Sequence, residues 1–224
     1  MPEVRQLIGW LKAKRRRERD RFLRGISGLI HVGANTGQER FLYHGYGVRV
    51  LWIEPIPDVY RKLCENIGRY PRQRALQALV TDRDEGDYEF HIANNEGQSS
   101  SILALSEHRD IWPEVHYVAT IRLRSTTLPT LLRRVAINPD GYQALVMDTQ
   151  GSELLVLEGA VPLLGHFRFV KTEVADFDSY AGCCRIADLE AFMSAHAFRE
   201  VSRRTIATRA GGGSYYDVIY ERSK

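Results

Sequence analysis

The chain has 224 residues and a mass of 25.6 kDa, and its 44% hydrophobic and 26% charged residues are the proportions of one ordinary globular domain. No apolar run approaches the roughly 18–20 residues that span a bilayer, and the first residues lack the basic-then-apolar order of a signal peptide. The three cysteines form neither a disulfide framework nor a structural zinc motif, so we expect a cytoplasmic protein.

Basic residues are concentrated at the N-terminus. The net charge is +3, but residues 1–24 contain nine Lys or Arg and only three Asp or Glu. We predict a basic helical segment over residues 1–26, which is either a solvated helix leading into the fold or a peripheral contact with an anionic surface. The rest of the chain is slightly acidic, whereas a nucleic-acid footprint usually covers a whole face, so we expect no nucleic-acid partner.

From residue 27 onward, strand-like and helix-like segments alternate, which predicts a parallel sheet with helices on both faces. The predicted core strands are 28–32, 48–54, 75–80, 143–147 and 167–172. The predicted helices are 38–44, 58–67, 128–135, 153–164 and 186–196. Two final strand-like runs, 199–208 and 215–221, are joined by a triple-glycine turn and predict an antiparallel hairpin.

Residues 83–142 are more than a simple crossover connection needs. They contain strand-like runs at 87–92 and 118–123 around a polar loop at 94–101. Long insertions in compact α/β domains tend to carry function, so we predict a lid here. The expected fold is α/β and Rossmann-like, with a seven-stranded, mostly parallel sheet, a C-terminal antiparallel hairpin and an inserted lid region, in one domain over residues 27–224.

A cofactor site is predicted at the carboxyl ends of the first strands, where ligands of open α/β sheets bind. Gly33 and Gly37 give the turn after the first strand a G-x-x-x-G spacing instead of the G-x-G-x-x-G of dinucleotide binders. Glu54 ends the second strand, where a carboxylate can accept hydrogen bonds from both ribose hydroxyls. Asp82 ends the third strand and is a candidate for contact with an adenine amino group.

Several stretches together carry a family resemblance. They are 29–39 (LIHVGANTGQE), 52–55 (WIEP), 99–103 (SSSIL), 147–154 (MDTQGSEL) with 157–160 (LEGA), and 172–174 (TEV). In this order, and over about residues 27–221, they resemble the FkbM family of S-adenosylmethionine-dependent methyltransferases. The resemblance implies a class I methyltransferase fold, and an O-methyltransferase that acts on a hydroxyl of a sugar, a glycan or a glycosylated or polyketide natural product.

The resemblance also implies positions for S-adenosyl-L-methionine. The implied cofactor contacts are Gly33, Asn35, Gly37, Glu54 and Asp82. We also predict that His31 contacts the cofactor, although many members of the family have Asp at this position. The acceptor is then a small molecule or a glycan.

Two carboxylates are the leading candidates for the chemistry. Asp148 and Glu173 end adjacent core strands, so both should face the mouth above the cofactor. We expect Asp148 to lie closest to the transferred methyl, in contact with the cofactor, and Glu173 to act as a second acceptor-binding or base group. His108 is a further candidate base, because an ordinary imidazole titrates near neutral pH.

The polar loop of the insertion is the candidate acceptor site. Asn95, Ser99, Ser100 and Ser101 are predicted to bind a polyhydroxylated substrate, together with Tyr180 after the fifth core strand. A flexible loop rich in turn-forming residues is the alternative. We predict no metal site. Some O-methyltransferases bind magnesium with an additional Asp-Asn pair after the second carboxylate, and this chain has Val174 and Ala175 there.

Two other functions remain open from the sequence. A nicotinamide-dependent oxidoreductase fits the sheet but lacks the dinucleotide glycine spacing. A non-catalytic module of the same fold would bind the cofactor without turning over any acceptor.

Overall fold

The computed structural model describes residues 20–223. Most of the predicted basic segment therefore lies outside the described residues, and its last part forms a short 3-10 turn, Arg21–Gly25. In residues 20–223, no helix combines the length and the apolar composition that crossing a bilayer requires. Cys64, Cys183 and Cys184 are free thiols.

Ten strands lie in the described part of the chain. They are β1 (Gly28–Val32), β2 (Arg49–Glu54), β3 (Gln73–Gln77), β4 (Leu79–Val80), β5 (Asp87–Ala93), β6 (Tyr117–Thr126), β7 (Ala144–Met147), β8 (Phe169–Ala175), β9 (Phe198–Thr208) and β10 (Ser214–Arg222). Seven of them form the main sheet in the order β3-β2-β1-β7-β8-β10-β9. The pairs from β3 to β8 are parallel, whereas β10 is antiparallel to both neighbours, which confirms the predicted sheet and its closing hairpin.

Within residues 20–223, five α-helices cover the two faces of this sheet. They are α1 (Arg40–Gly45), α2 (Pro57–Ile67), α3 (Leu128–Arg134), α4 (Glu153–Gly159) and α5 (Ile186–Ala195). Successive residues of a strand point to opposite faces. In β1, Leu29 packs with Tyr43 of α1 and Leu63 of α2, while Ile30 packs with side chains of α3, α4 and α5. Burial on both faces is why the core strands are continuous apolar runs.

The predicted third strand is divided in two in the structure. β3 pairs with β2, and the last bond between them runs from the Ala78 N–H to the Glu54 carbonyl at 3.3 Å. Leu79 and Val80 then leave the main sheet and pair with β6 of the insertion. The two strands of the insertion, β5 and β6, thus form a small three-stranded sheet with β4, in the order β4-β6-β5, at the edge of the predicted cofactor site.

The turn after β1 depends on glycine at Gly33. This residue has φ +78°, and a Cβ placed on it would lie 1.9 Å from the Asp148 carbonyl oxygen. The first glycine therefore lets the β1 turn and the segment after β7 touch along their backbones, a contact that any side chain would prevent. The second glycine, Gly37, also has a positive φ, and a Cβ there would press on Leu63 of α2 at 2.8 Å.

Candidate active site

A cavity of about 440 Å³ opens where β1, β2, β7 and β8 end, beneath the insertion and beside the C-terminal hairpin. Ligands of open parallel sheets bind at this end, because the strand order reverses between β1 and β7. Most of the predicted site residues line the cavity. Those residues are His31, Gly33, Asn35, Glu54, Asn95, Ser99, Ser100, His108, Asp148 and Glu173.

Glu54 is the fixed point at one end of the cavity. It is buried, with 4% of its surface exposed. Its Oε2 accepts a hydrogen bond from the Asn35 N–H at 2.8 Å, and its Oε1 accepts one from the Ile56 N–H at 2.9 Å. Burial raises the pKa of Glu54 to about 7, while the two backbone donors act in the opposite direction. One carboxylate thus joins the turn after β1 to the turn after β2.

Asn35 connects the glycine turn to the insertion. It has φ +45°, its side chain donates to the Glu96 carbonyl at 3.1 Å, and its Oδ1 accepts from Gln38 Nε2 at 3.0 Å. The polar loop of the insertion is therefore held against the first turn of the predicted cofactor site.

The serine loop is folded on itself. The Ser100 hydroxyl accepts from the Ala93 N–H at 2.9 Å, and the Ser99 hydroxyl accepts from Asn95 Nδ2 at 2.9 Å. These side chains line the cavity, but they also close a buried turn. The loop therefore forms one wall of the cavity, and its own hydrogen bonds hold it in shape.

A chain of hydrogen bonds orients Asp148. Gln150 Nε2 donates to Asp148 Oδ1 at 2.5 Å, and Tyr180 Oη donates to Gln150 Oε1 at 2.6 Å. Gln150 has φ +53° and is followed by Gly151 at φ +99°. A glutamine suits this place, since its amide can accept from a phenol and donate to a carboxylate at the same time.

Glu153 stabilises the loop that carries this chain. Its carboxylate is buried and accepts from the Thr149 N–H at 2.9 Å and the Gly151 N–H at 3.0 Å. These bonds hold the backbone of residues 149–151 in place, so Glu153 supports the loop between β7 and α4.

Asp148 directly follows the last residue of β7, and Glu173 lies beside it in β8, because Met147 and Thr172 are paired. Glu173 was expected to follow the end of its strand, but β8 continues to Ala175. Burial raises the pKa of Asp148 to about 7, against a hydrogen bond from Gln150. Burial, followed by the charge of Asp148, raises the pKa of Glu173 to about 8. Two carboxyls in such proximity disfavour double ionisation, so the pair tends to keep one proton near neutral pH.

His108 closes the cavity from above. It is 3% exposed, and its Nδ1 lies 3.0 Å from Tyr215 Oη. Its Nε2 has no hydrogen-bond partner in the described part of the chain. Burial lowers the pKa of His108 to about 4, which keeps the imidazole neutral at physiological pH.

His31 is a core residue at the edge of the cavity. Its ring stacks on Trp52 with centroids 5.0 Å apart, and its Nδ1 lies 3.3 Å from Tyr43 Oη. Burial lowers the pKa of His31 to about 4. The imidazole is thereby fixed as a neutral packing group.

Four predicted site residues are not part of the cavity lining. Asp82 Oδ1 accepts hydrogen bonds from Arg83 Nε at 3.2 Å and from Tyr88 Oη at 3.3 Å. Ser101 donates to the Gln150 carbonyl at 2.8 Å. Tyr180 is fully buried behind Gln150, and Gly37 packs on α2. The last three stabilise the walls of the cavity, whereas Asp82 turns away from it because the chain leaves the main sheet after Ala78.

Several residues that line the cavity were not predicted from the sequence. They are Gln150, from the D-x-Q-G stretch, and Trp112, Ile206 and Tyr215, from the insertion and the hairpin. Gln150 belongs to the D-x-Q-G motif, but the motif does not predict which side chains it bonds. The other three carry no local motif, since only the tertiary structure brings them to the cavity. In residues 20–223, no three His, Cys, Asp or Glu side chains are grouped to hold a metal ion.

The sheet order, the glycine turn after β1 and the carboxylate that ends β2 define a Rossmann-like methyltransferase fold. Residues 31–200 match the methyltransferase FkbM domain. The chain belongs to this family.

One curated relative is the 2-O-methyltransferase NoeI of Sinorhizobium fredii (strain NBRC 101917 / NGR234). It is 26% identical over 162 residues, which are 69% of this chain and 65% of that protein. The chain thus spans slightly less than two-thirds of the length of this relative.

Solved structures show the same fold at low identity. The METTL16 MTase domain has a TM-score of 0.56 and 10% identity, with 96% of this chain and 68% of that chain covered. TrmK of M. capricolum, solved in complex with S-adenosyl-homocysteine, has a TM-score of 0.53 and 7% identity, with 92% of this chain and 68% of that chain covered.

The raised pKa of Asp148 predicts that this side chain costs stability at neutral pH. Between the unfolded value near 4 and the folded value of about 7, the folded state keeps a proton that the unfolded state has lost. Stability from this group is therefore present at low pH and is lost as the pH rises through 7. We expect Asp148→Asn to gain stability relative to the wild type between pH 4 and 7, on the order of 1–2 kcal/mol after allowance for solvent at the cavity mouth.

Thermal or urea unfolding of both proteins at several pH values measures this difference. The matched control is Glu89→Gln, which removes a carboxylate from the exposed face of β5 and should differ less from the wild type than Asp148→Asn does. A constant difference between Asp148→Asn and wild type would show that Asp148 ionises normally.

Proposed function

We propose that this protein binds S-adenosyl-L-methionine in the cavity and transfers its methyl group to a hydroxyl of a sugar-like acceptor. The observation that carries the proposal is the buried Glu54 carboxylate, held by two backbone N–H groups opposite the Gly33 turn. Each carboxylate oxygen keeps capacity to accept a further bond, so the ribose hydroxyls of an adenosyl group have acceptors there.

An apolar slot next to Glu54 suits the adenine ring. Ile56, Leu79 and Phe90 line the cavity on that side. A flat heteroaromatic ring gains from burial between such side chains. This slot replaces Asp82 in the proposal, because the Asp82 carboxylate is engaged by Arg83 and Tyr88.

The proposed reaction needs an in-line arrangement and a base. When bound, S-adenosyl-L-methionine would supply an activated methyl group, whose bond to sulfur would break as the acceptor oxygen takes the methyl. The chain has to align the acceptor with this methyl group and accept the hydroxyl proton. Asp148 fits this role, since its pKa of about 7 matches neutral conditions. Glu173 and the neutral His108 then bind and orient the acceptor. Most of the acceleration comes from positioning at about 3–3.5 Å.

The cavity charge favours a small-molecule or glycan acceptor over a nucleic acid. Four carboxylates line it, Glu39, Glu54, Asp148 and Glu173, and the lining formed by the described residues contains no Lys or Arg. Nucleic-acid binding depends on cations that neutralise phosphates. The relative named a 2-O-methyltransferase supports an oxygen acceptor.

The cysteines bear on the cellular location. Three free thiols fit a reducing compartment, so we propose a cytoplasmic location.

The two alternative functions are less well supported. A nicotinamide-dependent oxidoreductase is not favoured, because the family is one of methyltransferases. A non-catalytic module would bind the cofactor and fail the turnover test below.

Binding of S-adenosylhomocysteine tests the cofactor assignment. We expect Glu54→Gln to weaken binding by about tenfold or more in calorimetry, because the ribose loses charge-assisted bonds. Asp82→Asn is the matched control and should bind like the wild type. Equal affinity of wild type and Glu54→Gln, or a large loss in Asp82→Asn, would contradict the assignment.

Turnover tests the proposed base. Transfer of a labelled methyl group to a bacterial glycan extract should fall by about 10²–10⁴ in Asp148→Asn, since the hydroxyl loses its proton acceptor. Affinity for S-adenosylhomocysteine should be retained, because Glu54 is untouched. A fully active Asp148→Asn would remove this carboxylate from the chemistry, and a wild type without turnover on any acceptor would favour the non-catalytic module.

A further inference from the structure

The end of the cavity farthest from Glu54 has a composition of its own. Trp112 from the insertion, Ile206 from β9 and Tyr215 from β10 line it, together with His108. We call these four residues the aromatic wall. Asp148 and Glu173 line the part of the same cavity that faces the main sheet. The cofactor assignment uses none of these four residues.

The aromatic wall is pre-formed. The Trp112 ring lies 4.7 Å from that of His108 and 5.3 Å from that of Tyr215, centroid to centroid. Phe177 supports Tyr215 from behind, in an edge-to-face contact at 5.2 Å. Interlocked rings of this kind lose little conformational freedom when a ligand binds, which favours affinity.

Arg209 pins the insertion to the C-terminal hairpin. Its guanidinium pairs with Glu107 at 2.8 Å and with Asp110 at 2.7 Å, the two acids that flank the turn bearing His108. It also lies over the Phe177 ring at 4.8 Å, and only 16% of its side chain is exposed. Its charge is therefore compensated within the wall and is not offered to a ligand.

One polar atom of the wall is unsatisfied. Among residues 20–223, buried His108 Nε2 has no hydrogen-bond partner, while Nδ1 of the same ring lies 3.0 Å from Tyr215 Oη. Native proteins seldom leave a buried polar atom without a partner, so this nitrogen is a candidate for a hydrogen bond to a bound molecule. A hydroxyl can either donate to this nitrogen or accept from it.

We infer that this end of the cavity is an acceptor subsite for an uncharged pyranose ring, with the C–H face of the ring on Trp112 and Tyr215. The inference rests on the proposed function and narrows its acceptor. A pyranose has an apolar face and a rim of hydroxyls, which matches an aromatic wall beside the carboxylates and His108 Nε2. Phosphorylated sugars are excluded by the carboxylates, since no lining Lys or Arg in the described residues offsets them.

Saturation-transfer NMR on the full chain loaded with S-adenosylhomocysteine tests the subsite. The probes are a panel of methyl pyranosides and the matching pyranose 6-phosphates. We expect ring C–H protons of at least one methyl pyranoside to be saturated, and its phosphate to bind more weakly. Trp112→Ala should reduce the saturation by about fivefold or more, and Trp112→Phe should retain most of it. The matched control Phe41→Ala, an exposed aromatic outside the cavity, should behave like the wild type.

The outcomes separate the subsite from the function. Preference for the phosphates, equal saturation in wild type and Trp112→Ala, or no saturation of any methyl pyranoside would overturn the subsite alone, provided that S-adenosylhomocysteine binds. A wild-type chain that does not bind S-adenosylhomocysteine in calorimetry would overturn the proposed function and the subsite with it.

Discussion

The contact on which the site depends is the grip of one buried carboxylate on two backbone turns. Glu54 accepts hydrogen bonds from the Asn35 and Ile56 N–H groups, so the turns after β1 and β2 have one fixed relative position. The approach of Gly33 to the backbone of Asp148 adds the turn after β7. Three strand ends are thereby locked around the same cavity before any ligand arrives, which is the preorganisation that methyl transfer by positioning requires.

This arrangement places ionisable groups where they are costly. Burial raises the pKa values of Glu54, Asp148 and Glu173 and lowers those of His31 and His108. A fold selected for stability alone would not gather such groups at one sheet edge, so the clustering is itself an indication of function. The surrounding bonds limit the cost, as the Tyr180–Gln150 chain does for Asp148.

The sequence predicted what local pattern and topology determine. Gly33 follows the first buried strand and Glu54 ends the second. Because the ends of parallel strands meet at one edge of the sheet, the proximity of these two residues could be predicted. The position of Asp82 could not be predicted in this way. Its prediction required the third strand to continue through Ala78, but Leu79 and Val80 pair with the insertion and redirect the chain. Nothing in residues 75–80 indicates this long-range pairing.

The acceptor end was the least predictable part for the same reason. Tyr180 was expected to touch the substrate, yet it supports Gln150 from behind, a difference set by burial and not by sequence position. Trp112 and Tyr215 are more than one hundred residues apart in the chain and meet because the insertion and the hairpin are joined by Arg209. Side chains that line a site from two distant segments leave no periodic or motif signal.

A structure of the chain with bound S-adenosylhomocysteine tests the central claim most directly. The account predicts both ribose hydroxyls at hydrogen-bond distance, about 2.6–3.2 Å, from the Glu54 carboxylate, and the sulfur directed towards Asp148. A nucleoside whose ribose lies away from Glu54, or outside this cavity, would contradict it.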